Sequence, residues 1–392
     1  MDDAIREKIQ SMGPWLTEIR RDFHMYPELG NREFRTSKKI QEILKDLGIS
    51  VTVYPDSTCV IGLIKGGKEG KTVAIRADMD ALPILEKNDT PYRSKNEGIM
   101  HACGHDVHVA VLLGVARYFA ENRDSLKGNI KLLFQPAEES TGGAEKMIEL
   151  GCLKNPDVDA VIGLHVSTAH RTGTVALKEG TMNAASDDVF ITVRGKSSHG
   201  AYPQLGTDAI TVSAQIVTAL QTVVSREISP LDSAVLTFGV IRGGTASNII
   251  ADKVELIGTL RTVDQGTREK AKERIEKMAK GIAEGMGATA EIAFHKGYDM
   301  LVNDPDITAV IKAAAKEVIG EENISQKEQI SLGVEDFGYF AKAVKGAFYY
   351  LGCGNPDKGI CAPGHNEYFD VDEDCLPIGV MMQVNTALKL LE

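Results

Sequence analysis

The chain has no long basic run: its 44 Lys and Arg are dispersed among 55 Asp and Glu, for a net charge of −11 over 392 residues. Phosphate backbones are held by clustered cations, so nucleic acid is excluded as an expected partner. No apolar stretch reaches membrane-spanning length, and Met1 opens an acidic, helix-like segment instead of a secretory leader. A membrane partner is therefore not expected. The six cysteines stand at irregular spacings and none forms a Cys-x-x-Cys pair, which argues against a disulfide framework or a dithiol redox motif. Internal repeats and low-complexity tracts are also missing. These absences point to a cytoplasmic enzyme with reduced thiols.

What is present is a concentration of metal-binding chemistry. Residues 100–108 read Met-His-Ala-Cys-Gly-His-Asp-Val-His, followed by Glu138 and Glu139 and by the separate His165 and His365. Cys103, His105, Glu139, His165 and His365 offer thiolate, imidazole and carboxylate, the donors that divalent transition metals take from proteins. Taken singly, each has a plainer reading. Cys103 could be a small buried hydrophobe, the Glu138–Glu139 pair a solvated surface, and His165 a satisfied core histidine. His101 and His108 carry no signal of their own and are read as packing residues or supports for a ligand.

Position favours the ligand reading. Lys71 to Arg76 reads as a short apolar strand with Asp78 and Asp80 just beyond it, and Asn129 to Phe134 as another, closed by Pro136 and followed by the two glutamates. Val158 to Leu164 is a third, with His165 as its terminal residue; Ala347 to Leu351 is a fourth, followed by a Gly/Pro-rich loop ending at His365. Val109, Leu112, Leu113, Ala116 and Phe119 keep helical spacing, and Ala144 to Leu150 forms a shorter helical segment. Strands alternating with helices predict an α/β domain with a mostly parallel sheet, whose ligands lie beyond the carboxyl ends of the strands.

The length favours two domains. A strand at Asp188 to Arg194, a helix from Thr207 to about Arg226, strands at Ala234 to Arg242 and Asp252 to Arg261, a helix from about Thr267 and a strand at Thr289 to Phe294 give the order β-α-β-β-α-β. That is the ferredoxin-like arrangement. An inserted α+β domain over 183–294 is therefore expected, splitting the first domain into 1–182 and 295–392.

The segments His24-Met-Tyr-Pro-Glu-Leu-Gly, Arg76-Ala-Asp-Met-Asp-Ala-Leu-Pro, Met100-His-Ala-Cys-Gly-His-Asp, Gln135-Pro-Ala-Glu-Glu, Ser198-His-Gly-Ala-Tyr-Pro and Pro363-Gly-His-Asn-Glu resemble those of the M20 metallopeptidases. More narrowly, they resemble the branch containing hippurate hydrolases, N-acyl-amino-acid amidohydrolases and plant auxin-conjugate hydrolases, in the same order from about Arg20 to the C-terminus. The resemblance implies hydrolysis of N-acyl amino acids and two divalent ions (Mn²⁺, Zn²⁺ or Co²⁺) held by Cys103, His105, Glu139, His165 and His365. It further implies Glu138 as general base, Asp78 and Asp80 in the catalytic shell, and His199 and Asn248 as substrate or oxyanion contacts. Many M20 enzymes have His-x-Asp where this chain has Asp78-Met-Asp80, so the separate duties of the two aspartates stay open. A homodimer through the inserted domain is implied too, the histidine reaching the partner's active site. The competing readings are a dipeptidase or aminopeptidase of the same family, a hydrolase using Cys103 with His105 as nucleophile and base, and a scaffold with structural zinc.

Overall fold

The computed structural model describes residues 1–392. The chain divides into two compact units, one comprising Met1–Gly180, Val302–Gln329 and Asp336–Glu392, the other Thr181–Leu301 with Ile330–Glu335. No helix is long and apolar enough to cross a membrane.

The first unit is built on an eight-stranded sheet in the order Ser50–Val53, Val60–Lys65, Lys127–Gln135, Lys68–Asp78, Ala160–Arg171, Gly346–Gly354, Val175–Leu177, Ile324–Gln326. Its four central strands, Lys127–Gln135 through Gly346–Gly354, run parallel. Val60–Lys65 and Val175–Leu177 flank them in antiparallel pairing, so the sheet is mixed and mainly parallel. From Thr72 to Asp78 every residue of its strand is buried, as expected of a strand covered on both faces.

Helices Gly13–Met25, His105–Glu121, Pro305–Ile319 and Cys375–Leu391 share one apolar core with the sheet. Phe337, on helix Phe337–Ala343, stacks on Phe348 from the opposite face, with ring centroids 5.0 Å apart. In helix His105–Glu121 only Arg117 and Glu121 escape burial, and Gly114 leaves room for Val380 and Leu16 to pack against its backbone. Each fully buried Leu, Val or Phe in such a core contributes roughly 1.5–3 kcal/mol.

The strands run longer than their apolar patterns predict. His165 is not the end of its strand, which continues to Arg171 because Gly346–Gly354 supplies pairing partners out to Ser167 and Arg171.

The second unit holds strands Ala185–Arg194, Ala234–Gly243, Lys253–Thr262 and Thr289–Lys296 in a fully antiparallel sheet. Numbered by their order in the chain, they lie side by side as fourth, first, third, second. With helices Ala209–Thr222 and Gln265–Gly285 this is the ferredoxin-like arrangement. The helices start two residues away from the expected positions because aspartates cap them. Asp208 accepts from the Ile210 and Thr211 amides, and Asp264 from that of Thr267.

Candidate metal centre

The donors of the first unit converge at the C-terminal ends of its central strands. Cys103 and His105 flank Gly104, whose φ of 88° is left-handed and whose missing Cβ makes room for the Val166 side chain. His105 then opens the long buried helix, so its position is as fixed as the core beneath it. Ala137 also has a left-handed backbone, φ 58°, and its amide donates to the buried Glu33 carboxylate at 2.9 Å. That kink, which costs on the order of 1 kcal/mol, directs Glu138 and Glu139 off the strand end. His365 is left-handed as well, φ 63°, and its amide donates to the Ala102 carbonyl at 2.8 Å, joining the last ligand loop to the first.

Hydrogen bonds settle which ring nitrogens face the centre. His105 Nδ1 donates to the Asp80 carbonyl at 2.9 Å, leaving Nε2 buried with no hydrogen-bond partner. His165 Nδ1 donates to the Val166 carbonyl at 2.7 Å, so its Nε2 lone pair is directed to Cys103 Sγ, 3.3 Å away. His108 differs: its Nε2 accepts from the Val166 amide at 2.9 Å and its Nδ1 donates to Asp78 at 2.5 Å, which leaves no nitrogen for a metal. It is a support, as the sequence suggests. His101 is buried with both ring nitrogens unpartnered, and burial brings its pKa down to about 3.

Asp78 and Asp80 have separate tasks. Asp78 accepts from His108 and from Arg76 Nη1 at 2.7 Å, while Arg76 also donates to Asp336 at 2.9 Å and to Gln135 at 2.8 Å. Burial disfavours the Asp78 carboxylate, but Arg76, His105 and His108 outweigh it and hold its pKa well below the usual range. A buried guanidinium between two buried carboxylates is tolerable only as a set, because any member left alone would be an uncompensated charge. Asp80 instead accepts from the Glu138 amide at 3.1 Å and the Glu139 amide at 3.0 Å, fixing the two glutamates to the histidine loop.

The donors fit a metal. One ligand atom from each of Cys103, His105 and His165 lies within 4.8 Å of the others, and the same holds for Cys103, Glu139 and His365, and for His105, Glu138 and Glu139. Glu139 Oε1 is 3.2 Å from His365 Nε2 yet buried without a well-directed hydrogen bond. Burial opposes ionisation of Glu139, but His365 and His105 prevail and lower its pKa to about 2. Burial likewise opposes charge on His105, and Asp78 with Cys103 overcomes it, raising its pKa well above the usual range. The same negative surroundings attract a metal cation, which takes the place of that proton. Burial pushes the Cys103 thiol well upward, so a thiolate at this position needs a cation beside it.

His199 and Asn248 lie in the second unit, both exposed, on adjoining loops: His199 bridges to Ile249, and the Gly200 amide donates to the Asn248 carbonyl at 2.7 Å. The structure thus brings these two together with each other.

Several supports were missed in the sequence. Arg76, two residues before Asp78 on the same face of an apolar strand, was a readable signal; Glu33 and Asp336 had none. His24 donates from Nδ1 to Asp106 at 2.8 Å, and Arg20 donates to the same carboxylate oxygen at 2.8 Å. The His24 segment therefore braces the residue next to His105.

Thiolate, imidazole and carboxylate donors gathered at strand ends of an α/β sheet, with a further carboxylate beside them, define the class of metal-dependent hydrolases. The chain belongs to Peptidase family M20/M25/M40, whose sequence profile matches residues 74–389. It is 42% identical to the N-acetyl-L-cysteine deacetylase of Bacillus subtilis over 96% of this chain and 88% of that protein. It is 39% identical to thermostable carboxypeptidase 1 of Saccharolobus solfataricus over 99% and 98% of the two. Among solved structures, the Bacillus subtilis YXEP protein, described as a dinuclear metal-binding peptidase of the M20 family, superposes with a TM-score of 0.84 at 33% identity, covering 100% of this chain and 99% of that one.

Proposed function

We propose that this chain is a metal-dependent amidohydrolase that cleaves N-acyl amino acids to a carboxylic acid and a free amino acid. Glu138 carries the reading. Glu138 lies beside the donor groups Cys103–His105–His165 and Cys103–Glu139–His365 without belonging to either, and a purely structural metal site has no need of an added carboxylate. In this reading Cys103, His105, Glu139, His165 and His365 hold two divalent ions, with Cys103 common to both groups; a thiolate suits Zn²⁺, and the other donors also admit Mn²⁺ or Co²⁺. Such ions, when bound, acidify water and polarise a carbonyl oxygen.

The chain's own residues do the rest. Glu138 removes a proton from water as the water oxygen bonds to the amide carbon, then delivers that proton to the nitrogen as the C–N bond breaks. Asp80, through the two backbone amides, keeps Glu138 and Glu139 in register. Asp78 keeps His108 in place behind His165.

The relatives' names, an N-acetyl-L-cysteine deacetylase and a carboxypeptidase, both describe amide cleavage next to an amino acid. A panel of N-acetyl and N-benzoyl amino acids set against unblocked dipeptides, on metal-reconstituted protein, is expected to show cleavage of the N-acyl compounds. Turnover confined to unblocked dipeptides would replace this reading with a dipeptidase.

The second unit serves in this proposal as the homodimer interface, with His199 and Asn248 contacting substrate held by the partner subunit. What supports it is a set of exposed apolar side chains on that unit, Tyr202 at 55%, Leu205 at 62% and Ile241 at 60% exposure, together with the unpaired edge strand Ala234–Gly243. Mixing inactive Glu138→Gln subunits with inactive His199→Ala subunits should restore part of the activity. No recovery in demonstrably mixed dimers would remove His199 from the partner's site.

A further inference from the structure

Near His165 the first unit places a lysine against a tyrosine ring, and that lysine makes no ion pair. Tyr350, paired with His165 in the parallel register, sets its ring 6.1 Å from the His165 ring. Residues 348 and 350 share a face of their strand, the one opposite the buried Tyr349, and Tyr350 is the one half-buried residue of that strand. The Lys327 ammonium lies 4.6 Å from the centre of that ring, and His170 stacks near it with centroids 6.4 Å apart.

Lys327 is half-buried, and its ammonium has this aromatic face for company and no carboxylate within ion-pairing distance. Its placement is enforced. The Lys327 amide donates to the Leu177 carbonyl at 2.7 Å, and Lys178 Nζ donates to the Glu328 carbonyl at 3.0 Å. A second cation therefore stands close by. Burial first, and then the charge of Lys178, lower the Lys327 pKa; an anion arriving there would offset the repulsion between the two cations. The Lys327 ammonium, half-buried and without an ion pair, is thus available to an incoming anion.

We propose that Lys327, backed by Tyr350, is a specificity-determining residue that receives a second carboxylate of the substrate, in addition to the α-carboxylate common to all N-acyl amino acids. The inference rests on the amidohydrolase reading of the same site and deepens it: the preferred substrates are N-acyl amino acids with two carboxylates. The second may come from the amino-acid side chain or from the far end of the acyl group. Both present the same chemistry to the ammonium.

The test compares isosteric pairs on metal-loaded protein, N-acetylglutamate against N-acetylglutamine and N-succinylalanine against its succinamoyl analogue. The charged member of one pair is expected to have the higher kcat/KM, and Lys327→Met to lower that charged-to-neutral ratio about tenfold or more, chiefly through KM. Lys327→Arg should restore most of it. The pair that responds identifies the source of the carboxylate. Calorimetric titration of the same pairs into metal-loaded Glu138→Gln protein, with and without Lys327→Met, reads the contact without turnover. A ratio unaltered by Lys327→Met in both pairs and both measurements overturns the assignment while leaving the hydrolysis of neutral N-acyl amino acids to stand. A Lys327-dependent preference in calorimetry, with no N-acyl amino acid cleaved by the wild-type protein, upholds the carboxylate site and overturns the reaction.

Discussion

Replacing Glu138 with Gln is expected to lower turnover by about a thousandfold or more, equivalent to roughly 4 kcal/mol of transition-state stabilisation, while metal content stays near that of the wild type. The two side chains have the same shape, and the bond from the residue 138 amide to Asp80 is made by the backbone, so the local structure has no reason to move. What disappears is the ability to accept a proton. Glu138 belongs to the His105–Glu138–Glu139 group but to neither group that contains Cys103, so unchanged metal content marks a lost base and a fall in it marks a lost ligand. Measuring kcat on an N-acyl amino acid together with metal analysis decides it. Activity within about tenfold of wild type, near 1.4 kcal/mol, would end the general-base role.

Chelation is expected to abolish hydrolysis reversibly and to leave most secondary structure intact. The loops that carry the donors are tied by bonds that use none of the donor atoms: Asp80 to the two glutamate amides, the His365 amide to the Ala102 carbonyl, and Arg76 to Asp336. Below them lies an extensive apolar core. A small zinc domain, whose folding is inseparable from its ion, would instead unfold. Circular dichroism and turnover should be followed before chelation, after it, and after adding back Mn²⁺, Zn²⁺ or Co²⁺. Turnover by protein verified to be free of metal would defeat the mechanism and bring forward the Cys103–His165 pair, 3.3 Å apart, as nucleophile and base. Global unfolding would show that the metals also support the fold.

Asp78, Glu138, Glu139 and His165 drew notice in the sequence because they follow apolar runs, whereas Cys103, His105 and His365 drew it by residue type and by resemblance. Val73, Ile75 and Ala77 mark a buried strand, and chemistry-bearing residues just past such strands have few structural reasons to be there. The second unit was legible from the order of its elements, and its helix starts were missed by two residues because the capping aspartates were not weighed. The extent of the strands was not legible. His165 looked terminal because the apolar run ends there, whereas the strand goes on through hydrogen bonds to a neighbour nearly two hundred residues away in sequence. The distinct duties of Asp78 and Asp80 also escaped, since they depend on what reaches them: Arg76 and His108 for one, two backbone amides for the other. Asp336 lay in a stretch with no pattern at all, and only the folded chain brings it to Arg76.

The burial of helix His105–Glu121 bears on how this protein can diverge. With Val380 and Leu16 packed against Gly114, and with almost no solvent-facing surface, the helix transmits a change of volume along its length toward its first residue, His105. Heritable variation in the core is thus screened by its effect on the chemistry. The stretch around Lys327 follows a short edge strand of the sheet. New substrates are accordingly expected to be acquired at the rim while the donors stay fixed, a division of labour between what is inherited and what is free to drift.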